Sequence, residues 1–352
     1  MNDREAGPPD GSDGRPRFPV LWPARVARQR GCAPPECAGT YPGRMTHPAP
    51  TVPADRPAPT RIVSLLPSAT DLLFDLLGDA GMDGRLVGVS HSCDHPRSRG
   101  LPVLTRSIVD SAAPQAEIDR AVSDAVREGR ALYQVDGPLL DALNPDLVVT
   151  QGVCEVCAVT PGTIEAAVRY LPGCLPAANV LSLEGRHLSG ILDDLRALGA
   201  AAGLPERAAQ LAAQAQARWD AVQPAQGAPR VLTLEWTDPP FYGGHWVPEQ
   251  VERAGGVNVL GAAGTDSGRA GWAQIEALRP DVTVVMCCGY GLPDNAAFAR
   301  ALDPQRPLGQ VWAVDANALF SRPSLGVVRG AEVLAALLRG EATPGQSERI
   351  RG

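Results

Sequence analysis

The sequence has no cluster of basic residues, no long apolar run and few aromatic residues. Its 352 residues carry a formal net charge of −7, with 32 Lys and Arg against 39 Asp and Glu, so the basic patch typical of a nucleic-acid binder is missing. No stretch approaches the roughly 20 consecutive apolar residues of a membrane span. We therefore predict neither nucleic-acid binding nor a membrane-spanning segment.

The first 60 residues also lack a periodic apolar pattern. They are dense in Pro, Gly and Arg, which is typical of disorder, and they contain no apolar stretch of about 7 to 15 residues such as a secretory signal needs. Met45 is an alternative start, and it would remove Cys32 and Cys37 from the protein. We predict a disordered leader over residues 1–60, and the cellular compartment stays open.

After the leader, short apolar runs alternate with amphipathic segments. The runs RIVSLL, RLVGVS, PDLVVTQG and ANVLSL in the first half and PRVLTLEW, PDVTVVMCC and QVWAVDA in the second are typical of buried parallel strands. Between the halves, the Ala- and Leu-rich segment favours helix, with a break near Gly203-Leu204-Pro205. The pattern predicts an α/β fold with two Rossmann-like lobes, a long connecting helix and a ligand cleft between the lobes. The predicted boundaries are 61–186 for the first lobe, 187–222 for the connecting segment, 223–342 for the second lobe and 343–352 for a tail.

One pattern occurs in both halves. ALNPDLVVTQG (142–152) and ALRPDVTVVMCCG (277–289) share a helix end, a Pro-Asp turn, a buried strand and a loop with glycine. The repeat indicates two similar lobes, although helix, Pro-Asp turn and strand also form a common α/β connector.

The turn after the first predicted strand contains a serine that invites two interpretations. In LLPSATD, Ser68 follows Pro67 and stands three residues before Asp71, which is the spacing of a helix-capping box. A nucleophilic serine would favour a G-x-S-x-G elbow, which is absent. We predict that Ser68 caps the first helix at the border of the cleft.

A C-x-x-C pair follows another strand, in VVTQGVCEVCAV. Cys154 and Cys157 do not stand directly at a helix start, which argues against a thioredoxin-like redox site. A zinc site would need two more ligands, and His91 and Cys93 in SHSCDHP are candidates because they also follow a strand. The first interpretation is a pocket rim or a pair that stabilises the lobe; zinc is the second, and redox catalysis is the last.

Aromatic residues are concentrated in one stretch although they make up only 5% of the chain. EWTDPPFYGGHWVPE contains Trp236, Phe241, His245 and Trp246, and such a cluster suits a flat, largely apolar ligand with polar edges. Trp272, Phe320 and Arg322 would extend this wall, with Arg322 meeting a carboxylate, phosphate or amide of the ligand. The alternative is a buried aromatic core beneath a long loop.

These motifs, in this order over residues 60 to 340, resemble the cobalamin- and iron-siderophore-type substrate-binding proteins of ABC importers. The segments SHSCDHP, CEVCA and GHWVPE are most similar to the cobalamin-binding branch. The resemblance implies a monomer that binds a corrinoid in the cleft without catalysing a reaction, needs no cofactor, and has an ABC importer permease as its partner. The expected ligand-binding residues are Pro67, Ser68, His91, Cys93, Gln151, Cys154, Trp236, Phe241, His245, Trp246, Trp272, Tyr290, Phe320 and Arg322.

The resemblance also implies docking to the permease through one exposed glutamate on each lobe. Glu165 and Glu276 are the candidates, and the alternative is that both are solvated helix carboxylates. Two other functions stay open. One is heme or ferric-siderophore binding by the same fold, and the other is an intracellular enzyme that is zinc-dependent or processes corrinoids.

Overall fold

The computed structural model describes residues 58–78, 83–152 and 180–352, which all belong to one unit, Pro48–Gly352. The predicted leader therefore lies outside the described residues except for its last three positions.

The first lobe is built on a parallel sheet. Its four described strands pair in the order β2–β1–β5–β6, while β3 and β4 form a separate antiparallel pair with helix α2 between them. The described helices and strands are β1 (Ile62–Ser64), α1 (Pro67–Leu77), β2 (Leu86–Val89), β3 (Thr105–Ser107), α2 (Gln115–Arg127), β4 (Tyr133–Val135), α3 (Gly137–Leu143), β5 (Leu147–Gln151) and β6 (Val180–Leu183).

Two helices connect the lobes, where the sequence predicted one long segment with a break. They are α4 (Leu188–Ala201) and α5 (Pro205–Asp220), so the predicted break is confirmed. Gly203 has a φ of 73°, a left-handed conformation that suits glycine after a helix, and Pro205 begins the next helix, where its missing N–H costs nothing.

The second lobe is built on a larger, mixed sheet. Its strands pair in the order β10–β8–β7–β11–β12–β13, and β9 pairs with β7. The described helices and strands are β7 (Arg230–Thr237), β8 (Pro240–Tyr242), α6 (Val247–Arg253), β9 (Val257–Asn258), β10 (Gly268–Arg269), α7 (Trp272–Leu278), β11 (Val282–Val285), α8 (Leu292–Ala301), β12 (Gln310–Val314), α9 (Ala316–Leu319), α10 (Gly326–Leu338) and β13 (Ser347–Arg351).

The prediction of a tail over residues 343–352 is wrong. Ser347–Arg351 forms β13, which pairs antiparallel with β12. The segment SERIR is too polar for its sequence to predict a strand. It can still form one, because a strand at the edge of a sheet needs to bury only part of its surface.

The repeat in the sequence corresponds to a repeated structure. Before the Pro-Asp turn, Asn144 and Arg279 both end their helices in the left-handed region, with φ values of 42° and 45°. After it, the Asp146 carboxylate accepts a hydrogen bond from the backbone N–H of Arg61, and the Asp281 carboxylate accepts one from Arg230. In both lobes, therefore, the aspartate ties the start of the following strand, β5 or β11, to the start of its neighbour, β1 or β7.

Candidate functional site

Loops at the carboxyl ends of strands bring the two lobes into contact. The loop after β2 meets the loop after β12, and the residues after β6 meet the loop that precedes β10. In open α/β sheets, ligands bind at the carboxyl edge of the strands. The contacts between the lobes therefore place the candidate site at this edge.

Arg322 forms the centre of one inter-lobe contact. Its guanidinium donates to Asp94 Oδ1 over 2.6 Å and to Asp71 Oδ2 over 3.2 Å, both in the first lobe. Asn317, in the second lobe, accepts from Arg322 over 2.9 Å and donates to Asp94 Oδ2 over 2.6 Å. We call these four residues the Arg322 clasp.

The charges of the Arg322 clasp stabilise one another. Burial alone would raise the pKa of Asp94, but the hydrogen bonds and charge of Arg322 outweigh it, so the net shift is downward. At Asp71 burial prevails and raises the pKa in spite of Arg322. Burial would likewise lower the pKa of Arg322, yet the two carboxylates raise it. To bind a carboxylate of a ligand, as predicted, Arg322 would thus have to leave Asp71 and Asp94, which it already binds.

The GHWVPEQ stretch supports the loop that carries Arg322. The indole N–H of Trp246 donates to the Phe320 carbonyl over 2.8 Å, and the Gln250 amide donates to the Leu319 carbonyl over 3.2 Å. Trp246 is 6% exposed and Phe320 is 2% exposed, and both belong to the hydrophobic core. The prediction that Trp246 and Phe320 line the ligand-binding wall is therefore wrong. Both rings pack in the hydrophobic core, and Trp246 holds the loop in place through its hydrogen bond to the Phe320 carbonyl.

A cavity of about 410 Å³ lies beside the Arg322 clasp and is lined by both lobes. The charged residues that line the cavity are mostly acidic, and among the described lining residues Arg322 is the only Arg or Lys. The pKa of Asp75 is raised to about 6, because the surrounding protein removes part of its hydration and Asp71 adds negative charge. Burial also raises the pKa of Asp315. The lining consists of Asp71, Asp75, Asp94, His95, Pro96, Asp315, Asn317, Ala318, Arg322, Ser324 and Gly326.

A second inter-lobe contact covers the end of β7. Trp236 packs against Tyr290 with ring centroids 5.8 Å apart, and its indole N–H donates to the Gln115 carbonyl over 3.3 Å. The Gln115 side chain accepts three hydrogen bonds from the backbone and hydroxyl of Thr237 and the backbone of Asp238. The structure thus brings the predicted residues Trp236 and Tyr290 together, beneath the start of α2.

Other predicted aromatic residues contact arginines. The Arg269 guanidinium lies 5.2 Å from the ring centre of Phe241, and the Arg306 guanidinium lies 4.3 Å from that of Trp272. Arg306 also pairs with Glu276. Trp272, Arg306 and the docking candidate Glu276 are therefore one group on the second lobe.

His245 takes part in a third inter-lobe contact. Its Nε2 lies 3.3 Å from Asp266 Oδ1, and the same oxygen accepts from Arg186 of the first lobe over 2.5 Å. Burial, followed by the charge of Arg186, lowers the pKa of His245 despite Asp266. Its φ of 52° is uncommon for a residue other than glycine. His245 therefore lies at a constrained junction between the lobes.

The prediction that Ser68 caps α1 is wrong. Leu66 is the N-cap without a side-chain hydrogen bond, and Pro67 and Ser68 are already inside the helix. Pro67 favours the first helical position because its φ is preset and it has no N–H to leave unpaired. Asp71 consequently points to Arg322 instead of closing a capping box.

His91 and Cys93 have hydrogen-bond partners within the first lobe. His91 Nδ1 lies 2.7 Å from Thr105 Oγ1, and Cys93 Sγ lies 3.0 Å from Thr70 Oγ1. Burial lowers the pKa of His91 and raises that of the Cys93 thiol to about 11. Within the described ranges, no group of three or more His, Cys, Asp or Glu residues is arranged to hold a metal ion.

Several predicted residues lie outside the described residues. These are Cys154, Cys157 and Glu165, so the zinc and docking interpretations that depend on them stay predictions. Gln151 is described and buried at the end of β5, and the following Gly152 donates its N–H to the Leu183 carbonyl of β6.

Sequence reasoning missed Gln115, Asn317, Asp75 and Asp315. Asn317 and Asp315 lie beside the predicted Phe320–Arg322 loop, so their position after a strand was an available signal. Asp75 stands one helical turn after Asp71, on the same face of α1. Gln115 had no such signal, because its partners are more than 120 residues away.

Solved structures with a similar fold are periplasmic binding proteins. A periplasmic heme-binding protein from Pseudomonas aeruginosa has a TM-score of 0.59 at 18% identity, over 83% of this chain and 98% of that chain. The heme-binding protein RhuT from Roseiflexus sp. RS-1 has a TM-score of 0.56 at 22% identity, over 80% and 98%. The vitamin B12-binding protein BtuF of Vibrio cholerae has a TM-score of 0.51 at 19% identity, over 80% and 97%.

The structural similarity confirms the fold that the sequence predicted, that of the two-lobed periplasmic binding proteins. No protein-family model matches the sequence, and no curated protein matches it significantly. Among the described helices, none has both the length and the apolar character that crossing a membrane requires.

Proposed function

We propose that this protein is the substrate-binding component of an ABC importer, and that it binds a corrinoid between its lobes. The fold similarity to periplasmic proteins that bind heme or vitamin B12 supports the class of ligand. The observation that carries the choice of a corrinoid is the charge of the inter-lobe cavity.

The cavity favours a ligand without carboxylates. Asp71, Asp75, Asp94 and Asp315 line it, whereas Arg322 is already bound by two of these groups. Heme has two anionic propionates, and ferric siderophores are often anionic chelates, so both would meet like charges at short range. A corrin ring has a cationic cobalt centre and neutral amide side chains, which donate hydrogen bonds to carboxylates.

Trp236 and Tyr290 provide an aromatic surface beside Asn317 of this polar cavity, because the Tyr290 carbonyl accepts a hydrogen bond from the Asn317 backbone N–H. Both rings are partly exposed and pack against the core of the second lobe, and Tyr290 meets Phe298 edge to face at 5.0 Å. Aromatic rings held in this way bind the face of a flat macrocycle without losing much side-chain entropy.

Titration of the purified protein with cyanocobalamin, hemin and an anionic ferric catecholate, each followed by its absorption spectrum, tests the proposal. We expect cyanocobalamin to bind with a submicromolar Kd, about −8 kcal/mol or better, and the anionic ligands to bind more weakly. Hemin binding tighter than cyanocobalamin would identify a heme-binding protein instead. No cyanocobalamin binding below about 100 µM would overturn the proposal.

A charge variant tests the reason for this preference. The ligands are cyanocobalamin and its monocarboxylic acid, in which one side-chain amide is hydrolysed. Asp75→Asn removes one carboxylate from the cavity, so we expect it to improve binding of the acid about twofold or more relative to the amide. Asp193→Asn, on the exposed side of α4, is the matched control and should leave the ratio unchanged.

Delivery to a permease through Glu165 and Glu276 also belongs to this proposal. Glu276 pairs with Arg306 in its own lobe, so docking would require a basic residue of the permease to compete with Arg306. Glu165→Lys with Glu276→Lys should reduce transporter-dependent uptake while ligand affinity stays unchanged. Uptake equal to that of the parent would show that these glutamates have no docking role.

A further inference from the structure

The segment from β3 to β4 reaches from the first lobe to the second. Its two strands form their own antiparallel pair, apart from the four-stranded sheet. Of the 13 residues in α2, only Gln115 and Ala125 are buried. A helix with so little buried surface depends on few contacts to hold its position.

Gln115 provides the main contact with the second lobe. It is 7% exposed, and its Oε1 accepts from Thr237 Oγ1 over 2.7 Å and from the backbone N–H groups of Thr237 and Asp238 over 3.1 Å each. Its carbonyl accepts from the Trp236 indole over 3.3 Å. The start of α2 therefore covers the carboxyl end of β7.

This contact is polar and incompletely satisfied. The buried side-chain nitrogen of Gln115 has no nitrogen or oxygen acceptor among the described residues and is left with the Cys287 thiol, to which the Gln115 side chain hydrogen-bonds. Sulfur is a weak acceptor, so burying this donor costs free energy. One turn further along, Asp119 accepts from Arg269 over 2.6 Å, but the Arg269 side chain is 51% exposed. Ion pairs at such exposed positions contribute little to stability.

We propose that the segment from β3 to β4 is a releasable strap, which closes over Trp236 and Thr237 through Gln115 and withdraws to open this wall of the cleft. That the opened wall receives a ligand rests on the proposed function. The release itself does not, because it follows from the small buried surface of α2 and from the few inter-lobe bonds that α2 forms among the described residues.

Backbone amide exchange of Thr237 and Asp238 reports the release directly, since both N–H groups donate to Gln115. By hydrogen exchange with NMR detection, we expect these amides to exchange at least about 100-fold faster than the core amides of Val284 and Val285. If the amides of Thr237 and Asp238 exchange at the same rate as those of Val284 and Val285, the proposal is overturned, because α2 then does not leave the second lobe.

Variants separate the strap from general destabilisation. Gln115→Ala should accelerate exchange at Thr237 and Asp238 about tenfold, with β11 unchanged. Gln134→Ala is the matched control, because Gln134 of β4 accepts from Arg106 of β3, so this hydrogen bond joins two strands of the same segment rather than the two lobes. Equal exchange in Gln115→Ala and Gln134→Ala would contradict the assignment.

The ion pair gives an independent test by charge exchange. Asp119→Arg should speed exchange about two- to fivefold, and adding Arg269→Asp should reverse most of this effect. A double variant that exchanges faster than Asp119→Arg alone would contradict a role for the pair in closing the strap.

Stopped-flow mixing with cyanocobalamin tests the consequence for ligand access. We expect the association rate to reach a plateau with rising ligand concentration, and Gln115→Ala to raise that plateau. Faster exchange with an unchanged binding rate would overturn the strap as a gate. Absence of binding in both proteins, with exchange as expected, would overturn the proposed function and leave the strap in place.

Discussion

Arg322 and Asp94 join the two lobes through a 2.6 Å ion pair, although 228 residues separate them in the chain. Arg322 is 11% exposed and also binds Asp71, which is 21% exposed, whereas Asp94 is 53% exposed. The guanidinium is therefore largely desolvated between two carboxylates, one partly buried and one open to water.

Arg322→Ala should lower the free energy of unfolding by about 1–3 kcal/mol, because it leaves Asp71 without its partner in a partly buried position. Urea denaturation measures this loss. Arg196→Ala is the control: Arg196 pairs with Asp193 on the surface of α4, so its loss should stay below about 1 kcal/mol. Equal losses in both variants would show that the Arg322 clasp adds no more than a surface pair.

Trp246→Phe should cost about 0.5–1.5 kcal/mol, because it removes the hydrogen bond to the Phe320 carbonyl while most of the packing stays. We also expect the backbone amides of Phe320 to Arg322 to exchange faster in this variant, because the loop is held less firmly. Trp219→Phe, a buried tryptophan of α5, makes the same change in ring size and should leave exchange in this loop unaltered. If both variants affect the loop equally, the hydrogen bond does not position Arg322.

Asp194 should make stability depend on pH. Burial raises its pKa to about 6, against the hydrogen bonds that it accepts from Gly185 and Glu184. Between about pH 4 and 6 the folded protein holds a proton that the unfolded chain has released, so this contribution to stability falls as pH rises through that window.

Asp194→Asn should remove this dependence, and the stability of the parent relative to this variant should fall by about 1–3 kcal/mol between pH 4 and pH 7. Urea denaturation at both pH values measures the difference. Asp193→Asn, at the neighbouring exposed position, should show no comparable change. A constant difference between parent and Asp194→Asn would contradict the raised pKa.

Cys93 should react slowly with iodoacetamide at pH 8, because its thiol pKa is about 11 and little thiolate forms. Cys287 should be slower still, since it is fully buried and its pKa is about 12. Cys288 is exposed and should react first of the three. Mass-spectrometric peptide mapping after brief labelling gives the order, and equal labelling of Cys93 and Cys288 would refute it.

The fold was predictable because its signals are local. Runs such as VTVV in β11 are buried at every residue, and the Gly203 and Pro205 signals set the break between the connecting helices. The strand β13 was missed because its polar residues alternate only weakly and its partner lies in a strand more than 30 residues earlier.

The site was predictable only in part. The sequence predicted Trp236 from an aromatic-rich stretch, with Arg322 as an extension of it, and Tyr290 from the family resemblance, and the structure brings Trp236 and Tyr290 together. The sequence could not tell that Trp246 and Phe320 pack inward, since an aromatic loop and an aromatic core have the same composition. The partners of Arg322 and Gln115 depend on how the two lobes pack against each other. The sequence periodicity within one lobe does not predict that packing.

Strand β13 has a practical consequence for how the protein is handled. It covers the outer edge of β12, whose residues Val311 to Val314 are buried. Removing the six residues 347–352 would leave the backbone donors and acceptors on this edge of β12 facing water beside apolar side chains. Such an exposed edge recruits strands from other molecules. We therefore expect removal of the SERIR segment to lower the yield of soluble protein, and we recommend that an affinity tag at this end be joined through a flexible spacer.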